Sequence, residues 1–380
     1  MKKFFAPTKI VYGKGAINRI TEFIFSEDRI LVVTDRTLVD NGVCQLLTDV
    51  LETNNLEYEI FKDVLPSPDE KTVSHALKVA KTSNCNTVVA IGGGSPIDVG
   101  KMVAFLLTNS GSLQEYQWEF KPAEAPSAKL VAIPTTAGSG SEVGNCAVII
   151  SRGLKGGIER PELFPKVALI DPDAMKSMPQ HITSTTGIDA FTHAYESYVG
   201  KNRSYVTDAW AWESMKLIIE NLPRAYCNGD DLEARENMAL AAVLAGLAKD
   251  NSGLGIIHAC TDAMGGLYSI PHGLANAVFL PYAMRFNMIA TVDRHAKLAY
   301  LFGHDTRCMN DREAAERALK SVVVFLEDLN IPTHLEKYLR NNSDLDVFVD
   351  NAFNGFLMMN NSRKPTKDEL RQIYRTVFNQ

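Results

Sequence analysis

Cysteine is scarce in this 380-residue chain: there are six, at positions 44, 85, 146, 227, 260 and 308, never spaced as Cys-x-x-Cys. That pattern argues against a disulfide framework and a thiolate zinc cage, and a reducing compartment, the cytoplasm, is expected. Long apolar runs are missing too. No stretch reaches the roughly 18 uninterrupted apolar residues of a membrane helix. The opening segment meets Pro7 and Lys9 before a signal peptide's apolar region can develop, so secretion is not expected. Nor is basic charge in surplus. Lys and Arg number 39 against 45 Asp and Glu, a formal net charge of −6, and no basic stripe is interleaved with aromatics. Nucleic acid is therefore not an expected partner. Internal repeats, low-complexity tracts and Gly/Ser linkers are likewise absent.

What remains is an ordinary globular composition, 46% hydrophobic and 22% charged. A single core stops growing near roughly 250–300 residues, so a chain of this length divides into about two domains. Over the first 180 residues, short β-branched runs alternate with helical patterns. Arg29–Thr34, Tyr58–Phe61, Thr87–Ile91, Leu130–Ile133 and Val167–Ile170 read as buried strands, and Ser151–Pro165 reads as a loop or irregular hairpin. Parallel neighbours need crossover connections, and this alternation supplies them. From about residue 181 strands give way to helical segments near 187–199, 204–222, 231–250, 272–289, 311–328 and 367–378. The expected architecture is an α/β dinucleotide-binding domain over 1–180, with a doubly wound, mostly parallel sheet, and an all-α domain over 181–380. A ligand is expected in a cleft between them.

Strand Thr87–Ile91 runs into Gly92-Gly93-Gly94-Ser95-Pro96-Ile97-Asp98. The glycines allow a tight turn and close approach of a ligand to the backbone; Ser95 reads as an N-cap, Pro96 suits the first helical position, and Asp98 stands where a capping-box acid would. The positive end of the helix makes an anion site suited to a pyrophosphate. A plain glycine-rich strand-to-helix turn is the alternative. Asp35, just past Arg29–Thr34, either accepts hydrogen bonds from a ribose, favouring NAD over NADP, or caps the next helix. A second loop, Pro134-Thr135-Thr136-Ala137-Gly138-Ser139-Gly140-Ser141-Glu142, also follows a strand and reads as ligand-facing.

Asp189 and His193 lie four apart and project from one helix face. Alone, such a pair is as readily a local contact as a metal site. His258, just after a glycine-rich turn, and His272, after Pro271, extend it to three imidazoles and one carboxylate. That donor set suits Fe(II) or Zn(II) and leaves a position open for substrate.

Four motifs in order, at 92–98, 134–142, Gly187-Ile188-Asp189-Ala190-Phe191-Thr192-His193-Ala194-Tyr195-Glu196 and Ile270-Pro271-His272-Gly273-Leu274-Ala275-Asn276-Ala277, resemble the iron-containing, group III metal-dependent alcohol dehydrogenases. The resemblance spans nearly the whole chain. It implies a dehydroquinate synthase-like architecture, metal ligands at Asp189, His193, His258 and His272, and NAD(H) contacts at Asp35, Gly93, Gly94, Ser95, Thr135, Thr136 and Lys155. Asp98 and Ser139, in the same two loops, complete the candidate cofactor set. A homodimer acting on a small aldehyde or alcohol is implied as well.

Two departures bear on chemistry. Many relatives carry a second His four residues after the one at 258; here it is Asp262, either a proton relay or an acceptor that orients another side chain. Where relatives with short apolar substrates often present Phe, this chain has Lys249, which suggests an anionic substrate unless it pairs with a neighbouring acid or reaches water. Sulfoacetaldehyde leads a set that includes phosphonoacetaldehyde and succinic semialdehyde; neutral aldehydes and diols such as lactaldehyde, butanal and 1,3-propanediol are the alternative. A dehydroquinate synthase-like lyase and an inactive metal- or nucleotide-binding protein are more remote readings.

Overall fold

The computed structural model describes residues 4–265, 267–341 and 343–380. They form two compact units, one of Phe5–Pro179 with Gly229–Val243, the other of Gln180–Asn228 with Leu244–Gln380 and Phe4.

The first unit runs β1 (Lys9–Tyr12), β2 (Ile30–Val33), α1 (Arg36–Asp40), α2 (Gln45–Thr53), β3 (Tyr58–Phe61), α3 (Glu70–Thr82), β4 (Thr87–Gly92), α4 (Gly94–Thr108), α5 (Leu113–Gln117), β5 (Lys129–Pro134), β6 (Cys146–Ser151), β7 (Leu154–Glu159) and β8 (Val167–Ile170). Six strands make one parallel sheet in the order β1-β8-β5-β4-β2-β3. Side chains alternate across it, as the period of two requires. Leu31, Val33, Val88, Ala90, Leu130 and Ala132 enter one core with residues of α3 and α4, while Ile30, Val32, Val89, Ile91, Val131 and Ile133 enter another with residues of α2. Both faces are covered, which is why these strands read as unbroken apolar runs.

Chain order sets where a ligand fits. From β2 the chain moves outward to β3, then returns to the other side of β2 for β4 and continues through β5 to β8. The reversal lies between β2 and β4, and the carboxyl ends of strands at such a switch point are where parallel sheets bind ligands.

Three features differ from the sequence-based expectation. Strand β1 is an additional edge strand, paired only with β8. The stretch from 151, expected to be a loop or an irregular hairpin, is the second in regular form: β7 pairs antiparallel with β6, a strand that was not expected. Finally, the glycine turn is capped by Gly93, in extended backbone and without a side-chain cap bond, so Ser95 is inside α4 and not its N-cap.

The second unit is helical: α6 (Gln180–Val199), α7 (Tyr205–Cys227), the latter part of α8 (Leu232–Ser252), α9 (Ile256–Gly265), α10 (His272–Asn287), α11 (Val292–Leu301), α12 (Asp311–Asp328), α13 (Asp344–Asn354) and α14 (Lys367–Val377). Ser204, Asn310 and Thr366 each close a capping box, fixing the starts of α7, α12 and α14. Helix α6 begins at Gln180, earlier than expected. Helix α8 passes from one unit to the other at Val243/Leu244. In the first unit its buried Arg235 donates to the carbonyls of Met178 (3.0 Å) and Gly229 (3.2 Å). Among the described residues no single helix is long and apolar enough to cross a membrane.

Candidate functional site

The dinucleotide candidates lie in the first unit at the carboxyl ends of adjacent strands. Asp35 follows β2, Gly93–Ser95 follow β4 and Thr135–Ser139 follow β5, on either side of the topological switch. Helix α4 is 15 residues long and buried from Pro96 to Leu106, so its first turn is held rigidly. The N–H groups of Gly94 and Ser95 have no acceptor within the helix, and Pro96 has no N–H; the dipole adds positive charge at the same place. An anion is the natural occupant.

The loop after β5 sits beside this turn. A Cβ on Gly93 would lie 3.4 Å from the Thr136 side chain, and one on Gly94 only 3.2 Å from that of Ser139. The Thr135 N–H donates to Gly92 O at 2.9 Å, tying the two loops together. Asp35 is the N-cap of α1, its Oδ1 accepting the Leu38 N–H at 3.0 Å. Asp98 does not serve as a capping-box acid. It is buried, accepting the Ser141 hydroxyl on Oδ1 (2.6 Å) and the Val148 N–H on Oδ2 (2.9 Å). Ser141 and the Cys146 carbonyl also accept from the fully buried Lys101, at 2.9 and 2.7 Å. Asp98 therefore fixes the hairpin to α4, and that hairpin carries Lys155 on β7.

The metal candidates lie in the second unit. Asp189, His193 and Glu196 occupy one face of α6, at i, i+4 and i+7. His258 stands in the first turn of α9 and His272 opens α10. Glycine at 273 makes the approach of α10 to α6 feasible: a Cβ there would be 2.5 Å from the Thr185 carbonyl oxygen. One oxygen of Asp189 and one ring nitrogen each of His258 and His272 lie within 4.8 Å of one another. The His193 Nε2 is 4.0 Å from Asp189 Oδ1, and its ring stacks on that of His258 with centroids 4.6 Å apart. Asp189, His193 and His258 are buried, while His272 is about one-third exposed.

Asn276, one turn beyond His272, reports on the fit of a cation. Its Nδ2 lies 2.6 Å from Asp189 Oδ1, 3.0 Å from His258 Nε2 and 3.1 Å from His272 Nε2. An amide NH2 has two hydrogens. Three acceptor lone pairs converging on it are more than it can satisfy, and a divalent cation takes three or more such donors at once. The amide's orientation is set by Thr261, whose hydroxyl donates to Asn276 Oδ1 at 2.6 Å. His258 Nε2 thus faces inward as an acceptor, and its Nδ1–H donates to Glu196 Oε2 at 2.6 Å.

The remaining candidates are less central. Asp262 Oδ1 is 3.9 Å from His272 Nδ1, beyond hydrogen-bond length but facing it, and 39% of its side chain is exposed. Lys249 is half-buried in the last turn of α8, before the 95° bend into α9. Asn276 and Glu196 were not among the expected site residues, although both stand in the motifs at 270–277 and 187–196. Helical spacing was the available signal, since Asn276 is four residues from His272 and Glu196 seven from Asp189.

Known proteins carry the same layout. The family model for iron-containing alcohol dehydrogenase matches residues 7–172, and that for the C-terminal part of the Fe-containing alcohol dehydrogenase family matches residues 183–378. The NAD-dependent methanol dehydrogenase of Bacillus methanolicus is 36% identical over 382 residues, covering 100% of both chains. A solved structure of 1,3-propanediol oxidoreductase matches with a TM-score of 0.95 at 34% identity, covering 100% of each chain. Sulfoacetaldehyde reductase from Bifidobacterium kashiwanohense, solved in complex with NAD+, matches with a TM-score of 0.89 at 29% identity, covering 100% of this chain and 99% of that one. With both halves matched in order and relatives aligned from end to end, the chain belongs to the iron-containing alcohol dehydrogenase family.

Proposed function

We propose that this protein is an NAD(H)-dependent alcohol dehydrogenase that reduces a short-chain aldehyde bearing an anionic group, with sulfoacetaldehyde as the leading substrate and isethionate as its product. The observation that carries the reaction class is the convergence of Asp189, His258 and His272 on one point, with His193 stacked beside them. When bound, a divalent cation, Fe(II) or Zn(II), supplies Lewis acidity toward a carbonyl oxygen, and NADH supplies the hydride.

The chain's own residues do the rest. Asp189, His193, His258 and His272 hold the cation. The first turn of α4 binds the pyrophosphate through the N–H groups of Gly94 and Ser95, with Thr135, Thr136, Ser139 and Lys155 as further contacts. The charge of Asp35 disfavours the 2′-phosphate of NADP, in keeping with the NAD of two of the relatives. Asp262, partly exposed and 3.9 Å from the His272 ring, passes protons to water. The cytoplasm is the expected compartment, in keeping with six free cysteines, and a homodimer is the expected form.

The substrate reading rests on Lys249 and is supported by the likeness to sulfoacetaldehyde reductase. The higher likeness to 1,3-propanediol oxidoreductase favours a second reading, a neutral aldehyde or diol. The test follows NADH consumption by protein loaded with iron or zinc, offered sulfoacetaldehyde, phosphonoacetaldehyde, succinic semialdehyde, lactaldehyde and butanal. Replacing Lys249 by Met is expected to raise KM for the anionic aldehydes by about 10–100-fold, the worth of one charge-assisted hydrogen bond, and to leave butanal unchanged. Equal effects on both would remove the argument from charge, and no consumption with any aldehyde would remove the dehydrogenase.

A further inference from the structure

We propose that Glu196 is a positioning residue for the metal centre, holding the His258 imidazole in the tautomer and rotation that aim Nε2 at the cation. The inference rests on the metal-dependent reading above and extends it to a residue outside the ligand set.

Glu196 uses both oxygens on consecutive residues of α9. Oε2 accepts the Nδ1–H of His258 at 2.6 Å, and Oε1 accepts the backbone N–H of Ile257, also at 2.6 Å. Its side chain is 1% exposed. One bond fixes the ring; the other fixes the helix that carries it. Because Glu196 shares α6 with Asp189 and His193, ligands from two distant segments become one rigid piece. The surroundings are built to this fit. A Cβ on Gly255 would lie 3.1 Å from Glu196 Oε1 and 2.9 Å from Asn361 Oδ1, so the chain entering α9 passes flush over the carboxylate. Asn361 in turn accepts the Ile256 N–H at 3.2 Å and exchanges hydrogen bonds with Asn287 at 2.8 and 3.0 Å.

Both partners of Glu196 are donors, and a carboxylate accepts at both oxygens. Gln fills the same space but offers one acceptor and turns its NH2 against a donor. Charge argues the same way. Buried ions need compensation, and the carboxylates of Asp189 and Glu196 together balance a divalent cation. Groups that orient a ligand imidazole in this way typically change metal affinity by 10–100-fold when removed.

The experiment compares wild type, Glu196→Gln and Asn361→Ala, the last removing the neighbouring cap of α9 without touching His258. Each full-length protein is stripped of metal, its thermal midpoint is measured, and it is titrated with Co(II), reading the ligand-field absorption. The expected result is that Glu196→Gln binds Co(II) about 10–100-fold more weakly, with a shifted ligand-field band, while Asn361→Ala loses thermal stability yet keeps wild-type affinity and spectrum. If both variants lose affinity only in proportion to their thermal midpoints, or if Glu196→Gln binds as wild type, the positioning role is overturned. Failure of the wild type itself to bind Co(II) would strike the metal-dependent reading, and this inference with it. Should Glu196→Gln not fold, Glu196→Asp, which keeps the charge and shortens the reach, is read against the same outcomes.

Discussion

At the scale of single residues, the histidines divide by what stands behind each ring. His258 has a carboxylate on one nitrogen and, on the other, the convergence point it shares with Asp189 and His272. His295 has neither. It is fully buried, its Nδ1 donating to the Thr291 carbonyl at 2.8 Å and its Nε2 accepting from Tyr195 at 3.0 Å. Burial pulls its pKa down, and the Thr291 carbonyl and Asp293 only partly offset that. The folded protein therefore holds His295 neutral where the unfolded chain, titrating near 6.5, takes up a proton. Stability from this residue is complete above about pH 6.5 and falls as the pH drops below it, by up to about 1.4 kcal/mol per pH unit, until the lower folded value is reached. Urea midpoints at pH 7, 6 and 5 should fall more steeply for wild type than for His295→Gln, which cannot titrate. The sequence could separate these two histidines only in part. The candidate ligands stood in motifs, whereas Glu196 and Asn276 could be flagged only by their helical spacing from Asp189 and His272, and their bonds to His258 on another helix had no local signal.

At the scale of elements, legibility followed burial except at β3, which was read as a buried strand but lies at the sheet edge with Glu59 and Ile60 exposed. Strands β2, β4, β5 and β8 are covered on both faces and were plain in the sequence. Strand β1, with its two ends exposed, and β7, which contains Lys155 and two glycines, lack that apolar signature. For α9 only His258 was read as a helix residue; the extent of the helix was hidden by the glycines before it and by its ten-residue length. Ser95 and Asp98 carried the right residue types for a cap, but the turn closes two residues earlier than that reading required, and Asp98 points inward to Ser141 and Val148. Contact between elements also gives a sharp test. In Gly273→Ala the new methyl meets backbone, the Thr185 carbonyl, which cannot rotate away, so α10 must shift from α6. Destabilisation of about 1–3 kcal/mol is expected from such overpacking. Because the shift carries His272 away from Asp189, Co(II) affinity should fall as well, measurable by the same titration.

At the scale of the whole molecule, the chain crosses between its two units at Phe4/Phe5, Pro179/Gln180, Asn228/Gly229 and Val243/Leu244. Nothing in the composition of Gly229–Val243 marks it as belonging with the sheet, because membership is decided by contacts such as that of Arg235 with Met178. In this segment Met238 and Val243 are also buried. A fragment ending at Pro179 leaves the Met178 carbonyl without its Arg235 donor and should lose about 1–3 kcal/mol from that contact alone. We expect it to unfold with a broad transition by circular dichroism, and a fragment with Gly229–Val243 fused back to its end to regain a steeper one.

The passage of one continuous helix through both units also constrains how such a protein can be rebuilt. Exchanging the helical half with that of a relative at a single junction near residue 180 replaces the opening of α8 too, and with it the Arg235 that holds the Met178 carbonyl. A chimaera that keeps each unit whole beyond Phe5 needs three junctions, at Pro179/Gln180, Asn228/Gly229 and Val243/Leu244.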